Sequence, residues 1–385
     1  MLRLCRNIST LGVILILLAG CQGTTPTIDP NLIMTQAVQT AFATLKQTPI
    51  TISRASTTTP VPSATLSMRT PPALPPPFTA SSLNPLDTPH AYVSDTCQYL
   101  KDRWTTTNAA PGTVVMVIMI HSISKDVAVD ASQISSRDFN LLMNDLHDMG
   151  FAAIQMQQMA DFLYHNTKIP PRSVLLIQDD RRTAQNFNDH FLTYYQKWGW
   201  PVVNGWISAD DYIGKTYLPE NVALSQQGWV DYQAHGVLHL PIGPGSTDDF
   251  IHSEIFGSMQ AIQKNFNKTP LAYIWPGGGF TPKAVGVARQ AGFKLGFTTN
   301  PRGPVMFNWI PLADQTDTQR PLLIAEGPMN DPLMVLPRIW DTDARSHLDA
   351  IRSIGDAAVA YAAQNKAIEL EYYNIVCLSK DGPIQ

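Results

Sequence analysis

Val114–Ile120 reads VVMVIMI, seven apolar residues in a row with no polar position among them. A strand with one wet face alternates polar and apolar residues, whereas an unbroken run rich in β-branched residues marks a strand buried on both faces. The next stretch changes rhythm. Phe139–Met149 (FNLLMNDLHDM) places its apolar residues at helical spacing and is closed by Gly150. Further strands are predicted over Phe151–Met156, Ser173–Gln178, Val202–Ser208, Trp229–Ala234, Leu271–Trp275, Leu295–Thr299 and Leu333–Ile339. Helices are predicted over Gln158–Tyr164, Asn186–Trp198, Ser253–Phe266, Pro282–Ala291 and His347–Gln364. Strands alternating with helices argue for a parallel sheet. Seven or so such units in about 280 residues suit a sheet closed on itself, a distorted (β/α)7-type barrel of the α/β class.

Toward the N-terminus the composition changes twice. Between Gln22 and His90 lie 12 of the chain's 30 prolines and 15 threonines, with almost no charge. Such a segment buries too little apolar surface to offset its ordering entropy, and its prolines favour extended conformations. Residues 21–91 are therefore expected to be a disordered Pro/Thr-rich linker, with one short helix over Leu32–Lys46 behind Asp29 and Pro30. Before it, Arg3 and Arg6 precede the apolar run Leu11–Leu18, and Leu18-Ala19-Gly20-Cys21 resembles the bacterial lipoprotein signal. The expectation is a signal peptide over 1–20, cleavage before Cys21 and a lipid on its thiol. An uncleaved signal anchor and a plain secretory signal are the alternatives. The folded domain is then 92–385, extracytoplasmic and lipid-anchored to a bacterial membrane.

The whole chain has 385 residues, 44% hydrophobic and 15% charged, with a net charge of −4. That is enough apolar residue for a large core, and the absence of a basic block gives nucleic acid no footing.

Polar clusters follow the predicted strands, at the rim where the loops of such a barrel converge. Asp179-Asp180 follows SVLLIQ, His235-Gly236-Val237-Leu238-His239 follows WVDYQA, and Pro276-Gly277-Gly278-Gly279 follows LAYIW. His121 follows VVMVIMI. Each has a bland reading. Asp-Asp before Arg181-Arg182 suits a solvated turn, a His pair at i, i+4 arises by chance, Pro-Gly-Gly-Gly suits any loop, and His121 alone suits a half-buried position.

Their order is more specific. Strand–His–Ser–Ile, strand–Asp–Asp, His–x3–His and strand–x–Pro–x–Gly resemble the polysaccharide deacetylases, carbohydrate esterase family 4. With His121 ahead of the Asp pair, the order resembles the circularly permuted branch that includes biofilm poly-N-acetylglucosamine deacetylases. The resemblance runs from about Val114 to Ile339 and includes Ser135–Leu163 and Thr281–Thr299. It implies a divalent metal, zinc first, held by Asp180, His235 and His239 with a position left for water. It implies Asp179 as general base, His121 as general acid, and the Gly277 backbone N–H beside Pro276 as an oxyanion donor. Asp180, His235 and His239 should converge on one point, with Asp179 and His121 on opposite sides of it. The implied activity is metal-dependent removal of N-acetyl or O-acetyl groups from an extracellular polysaccharide or cell-wall glycan.

This chain departs from the family in two places. The family's Thr-Phe-Asp-Asp-Gly stands here as Ile177-Gln178-Asp179-Asp180-Arg181, which puts a cation beside the carboxylates. Its Arg-x-Pro-Tyr-Gly stands as Ile274-Trp275-Pro276-Gly277-Gly278, without the arginine that orients the base. Trp275 is the residue available to replace the lost aromatic surface of the groove, with a core tryptophan as the other reading. The alternative function is a catalytically impaired glycan-binding lipoprotein on the same barrel. A glycoside hydrolase is disfavoured, because adjacent carboxylates do not flank a bond at the roughly 5–9 Å that chemistry needs. Of four cysteines, Cys5 lies in the signal and Cys21 carries the lipid, which leaves Cys97 and Cys377 for a disulfide in an oxidising compartment.

Overall fold

The computed structural model describes residues 69–385 apart from 126, 131, 181 and 182. The expected signal peptide, Cys21, the helix expected over Leu32–Lys46, and Arg181 lie outside the described residues. Eight strands form one parallel sheet: β1 (Val114–Ile120), β2 (Ala152–Ala153), β3 (Arg172–Gln178), β4 (Val202–Trp206), β5 (Val230–Ala234), β6 (Ala272–Ile274), β7 (Leu295–Phe297) and β8 (Ile339–Trp340). The order is β7-β6-β5-β4-β3-β1-β8, with β2 paired to the start of β3.

The segment leading into β8 closes this sheet. Leu336 bridges Phe297 of β7, donating to Gly296 O at 2.8 Å, and three residues later Ile339 pairs with Ile118 of β1. Lower in the seam Val305 pairs antiparallel with Val115, exchanging bonds of 2.8 and 2.9 Å. One irregular excursion thus fills the gap between first and last strands, and the result is a distorted barrel. All seven residues of β1 are buried, as an apolar run between barrel interior and helices requires.

The helices are α1 (Thr96–Trp104), α2 (Ser136–Asp148), α3 (Met156–His165), α4 (Ala184–His190), α5 (Leu192–Trp198), α6 (Tyr212–Ser225), α7 (Asp248–Phe266), α8 (Pro282–Ala291) and α9 (Asp341–Tyr372). The helix expected over Asn186–Trp198 is two, broken at Phe191. No helix was expected at α6, whose Pro219 lies inside it and whose apolar periodicity is weak. None of the described helices is long and apolar enough to cross a membrane.

The linker expected to reach residue 91 ends earlier. Phe78 packs its ring on Trp309 and Tyr361, the Trp309 indole donates to Phe78 O at 2.8 Å, and Asp87–His90 pairs with Ile310–Ala313. A Pro-rich strap is already extended before it docks, so a few aromatic contacts suffice to hold it. At the same end of the molecule, Cys97 of α1 is bonded to Cys377, with 5.4 Å between Cα atoms.

Candidate active site

The register of β1 and β3 sets the site. Ile120 stands opposite Gln178, and the Asp179 N–H continues the ladder onto Ile120 O at 2.7 Å. The next residues, His121 and Asp179, therefore leave the sheet side by side, with His121 Nε2 at 3.6 Å from Asp179 Oδ2. The expectation that they stand on opposite sides of the site is corrected: neighbours in register cannot diverge within one residue. The Gln178 side chain reinforces the pairing, its Nε2 lying 3.1, 2.7 and 3.0 Å from the carbonyls of Ile120, His121 and Asp179.

Asp179 is fully buried, pointing past Gly205 of β4, where a Cβ would come within 3.4 Å of its Oδ1. Its partner is Arg338, whose Nη1 donates to Asp179 Oδ1 at 2.6 Å while its Nε holds Thr298 O at 2.6 Å. Burial pushes the carboxyl up, but neighbouring positive charge, that of Arg338 above all, outweighs it and holds the group below the ordinary carboxylate range. The arginine on this carboxylate thus comes from the closing segment and not from the Pro-Gly-Gly loop. Burial lowers the pKa of His121, partly opposed by Asp179, and its ring stacks on Trp340 at 4.9 Å. Beside Trp340, buried Asp341 is pushed up to about 7 by desolvation.

Asp180, His235 and His239 converge. One Asp180 oxygen lies 3.6 Å from His235 Nε2 and 3.1 Å from His239 Nε2, and the three ligand atoms fall within 4.8 Å of one another. His235 Nδ1 lies 2.8 Å from Ile274 O, an acceptor only, so this nitrogen carries the proton. Nε2 is therefore the ring nitrogen turned to the site, buried and without a hydrogen-bond partner, 3.6 Å from the Asp180 carboxylate. Two imidazole nitrogens converging on one carboxylate oxygen make a donor set that fits a divalent metal. Asp180 and His239 both have left-handed backbone, φ 65° and 59°. Such conformations in non-glycine residues concentrate where structure serves a site. Cys97, Cys377 and Asp381 also gather within 4.8 Å, but those sulfurs are spent in the disulfide.

The Pro-Gly-Gly segment forms a tight turn directly after β6. Gly277, φ 56°, is its exposed residue and lies against Pro241, while Pro276 is buried. Trp275 is fully buried and donates to Met334 O at 2.8 Å, so it lines no groove. This corrects its assignment to the groove; the half-buried tryptophan at the site is Trp340. Sequence reasoning missed Arg338, Trp340 and Glu254. Trp340 had a signal, since it follows the last predicted strand as His121 follows the first.

Residues 166–296 match the family model of polysaccharide deacetylase, the family that the sequence motifs resemble. The matched span includes Asp179, Asp180, His235, His239 and Gly277 and excludes His121 and Arg338. Among solved structures, the Streptococcus pyogenes deacetylase PplD in complex with acetate is 18% identical, with 63% of this chain and 99% of that one covered at TM-score 0.49. IcaB from Ammonifex degensii is 17% identical, with 64% and 98% covered at TM-score 0.47. The curated proteins contain no match.

Proposed function

We propose that this member of the polysaccharide deacetylase family, matched over residues 166–296, is a metal-dependent hydrolase. It removes acetyl groups from an extracellular glycan and is tethered to a bacterial membrane through lipid on Cys21. The observation that carries the reading is the buried Nε2 of His235, which converges with His239 Nε2 on one oxygen of Asp180. Those three residues would hold the metal, zinc first, which when bound lowers the pKa of a water and polarises the acetyl carbonyl.

The chain's own groups supply the proton traffic. Asp179, kept ionised by Arg338, takes a proton from the attacking water as its oxygen bonds to the acetyl carbon. His121 Nε2, 3.6 Å from Asp179, receives that proton and delivers it to the departing nitrogen as the C–N bond breaks. Acetate and a free amine leave, and both residues return to their starting states. For an O-acetyl substrate the proton goes to the departing oxygen. The Gly277 N–H is our donor for the oxyanion, acting on charge that exists only in the transition state.

The test incubates the full chain, loaded with zinc, with N-acetylated oligomers of chitin and peptidoglycan type and with O-acetylated xylan, and measures acetate. Release from one of them supports the reading, and release from none overturns it. Fractionating cells that carry Cys21→Ser tests the tether, since a variant still in the membrane fraction refutes lipid on that thiol. Roles separate by substitution: Asp180→Ala should lose zinc and activity together. Asp179→Asn should keep zinc and lose about 10²–10⁴ in kcat, the usual worth of a general base. Equal zinc loss in both variants would make the two carboxylates one ligand set.

A further inference from the structure

We propose that Glu254 is the positioning residue of the metal site, fixing the loop between its two histidines; this rests on the reading of Asp180, His235 and His239 as metal ligands. Glu254 projects from α7 and is almost completely buried. Its Oε2 accepts the Val237 N–H at 2.9 Å, and the Leu238 N–H is shared between Oε1 at 2.9 Å and Oε2 at 3.1 Å. Val237 and Leu238 are the middle of His235-Gly236-Val237-Leu238-His239. One carboxylate therefore captures two successive backbone donors between the imidazoles.

The surroundings are shaped for that capture. At Gly236, φ 73°, a Cβ would come within 2.7 Å of Glu254 Oε2, so only glycine lets the loop approach this closely. Beyond the anchor, His239 is held at φ 59°. Its ring there stands 4.7 Å from that of His235, both facing Asp180. A free loop of this sequence has no reason to keep that turn, because Gly236 is permissive and αL backbone is unfavourable for His. Burying a carboxylate for two N–H groups is a costly route to stability, because the desolvation of the charge offsets much of what the bonds contribute. What the carboxylate secures is the conformation of the loop. It acts on the ligands through the backbone of the loop.

The experiment compares wild-type protein, Glu254→Leu and Glu254→Gln, each stripped of metal and titrated with Zn²⁺ against a chromophoric chelator. The thermal midpoint of each metal-free protein is measured in parallel. Loss of an outer partner of a metal ligand typically costs about 10–100-fold in affinity. Glu254→Leu should weaken zinc binding by that factor. Glu254→Gln keeps one acceptor oxygen and should fall between the two. A residue that merely stabilises the fold would lower the metal-free midpoint and leave the zinc affinity of the folded protein unchanged. Both variants binding zinc within twofold of wild type overturns the proposal, and if Glu254→Leu does not fold, Glu254→Gln alone decides. A wild-type protein that takes up no zinc overturns the metal-site reading itself, an outcome distinct from a zinc-binding wild type with indifferent variants.

Discussion

Arg338 decides the charge state of Asp179. Both side chains are buried, and the guanidinium at 2.6 Å is the largest of the charges that offset the desolvation of the carboxylate. In Arg338→Met the largest of those offsets is gone, so the Asp179 pKa rises. A base must be ionised to act, so the acid limb of kcat/KM against pH should move to higher pH. One unit of movement means about tenfold less activity on that limb. Stability should also fall by about 3–5 kcal/mol, the usual cost of stripping the partner from a buried charge. An unmoved limb in the pH–rate profile would make some other group the base. Asp179, Asp180, His121, His235 and His239 were legible in the sequence because each comes at or just after the end of an apolar strand, where a barrel gathers its chemistry. Arg338 was not, because it sits within what reads as strand Leu333–Ile339. Only closure of the barrel brings position 338 to position 179. Glu254 was hidden in the same way, as one acid on a helix whose partners are backbone groups and leave no side-chain pattern.

The strands were legible wherever burial on both faces left an apolar run, as at β1 and β3, and the helix over Pro282–Ala291 has both ends where its Pro and Gly put them. Elements set by tertiary contact were not. The closing segment is short and irregular, and it pairs through Leu336, Ile339 and Trp340 with two different strands. Its position depends on Gly296 of β7, where a Cβ would stand 2.1 Å from Met334 O and 2.7 Å from its carbonyl carbon. Backbone cannot turn aside as a side-chain tip can. Gly296→Ala should therefore displace the segment that carries Arg338 and cost about 3 kcal/mol or more. Gly286, in α8, has nothing within 4 Å of the same hypothetical atom. There Gly→Ala should stabilise by about 0.5–1 kcal/mol, through helix propensity alone. Thermal denaturation of the two variants checks the contrast. Equal shifts would mean that closure of the barrel does not depend on that approach.

At the scale of the folded domain, α1 and the C-terminal end of the chain meet at Cys97–Cys377. Helix α9 begins at Asp341 beside His121 and Trp340, and its 32 residues carry the chain about 48 Å away. The 280-residue loop closed by Cys97–Cys377 has a chain-entropy worth of about 5–6 kcal/mol. Other ties span the same junction: Arg103 and Trp104 hold Glu369 at 3.0 and 2.7 Å, and the Thr106 N–H donates to Gln385 O at 2.9 Å. These keep the ends together without the covalent bond, so the measured loss should be smaller than that ceiling. Replacing both cysteines by serine should cost about 2–4 kcal/mol. At roughly 2 °C per kcal/mol for a domain of this size, the thermal midpoint should fall by about 4–8 °C. Reductant should lower the wild-type midpoint by a similar amount and leave the double variant unchanged. Zinc affinity should stay within twofold in the folded variant, because the residues of the barrel seam and the Glu254-anchored loop make none of the contacts of the Cys97–Cys377 junction. A variant that loses zinc at full thermal stability would show that the junction and the site are coupled along α9, since that helix joins the disulfide-bonded end to the rim of the site.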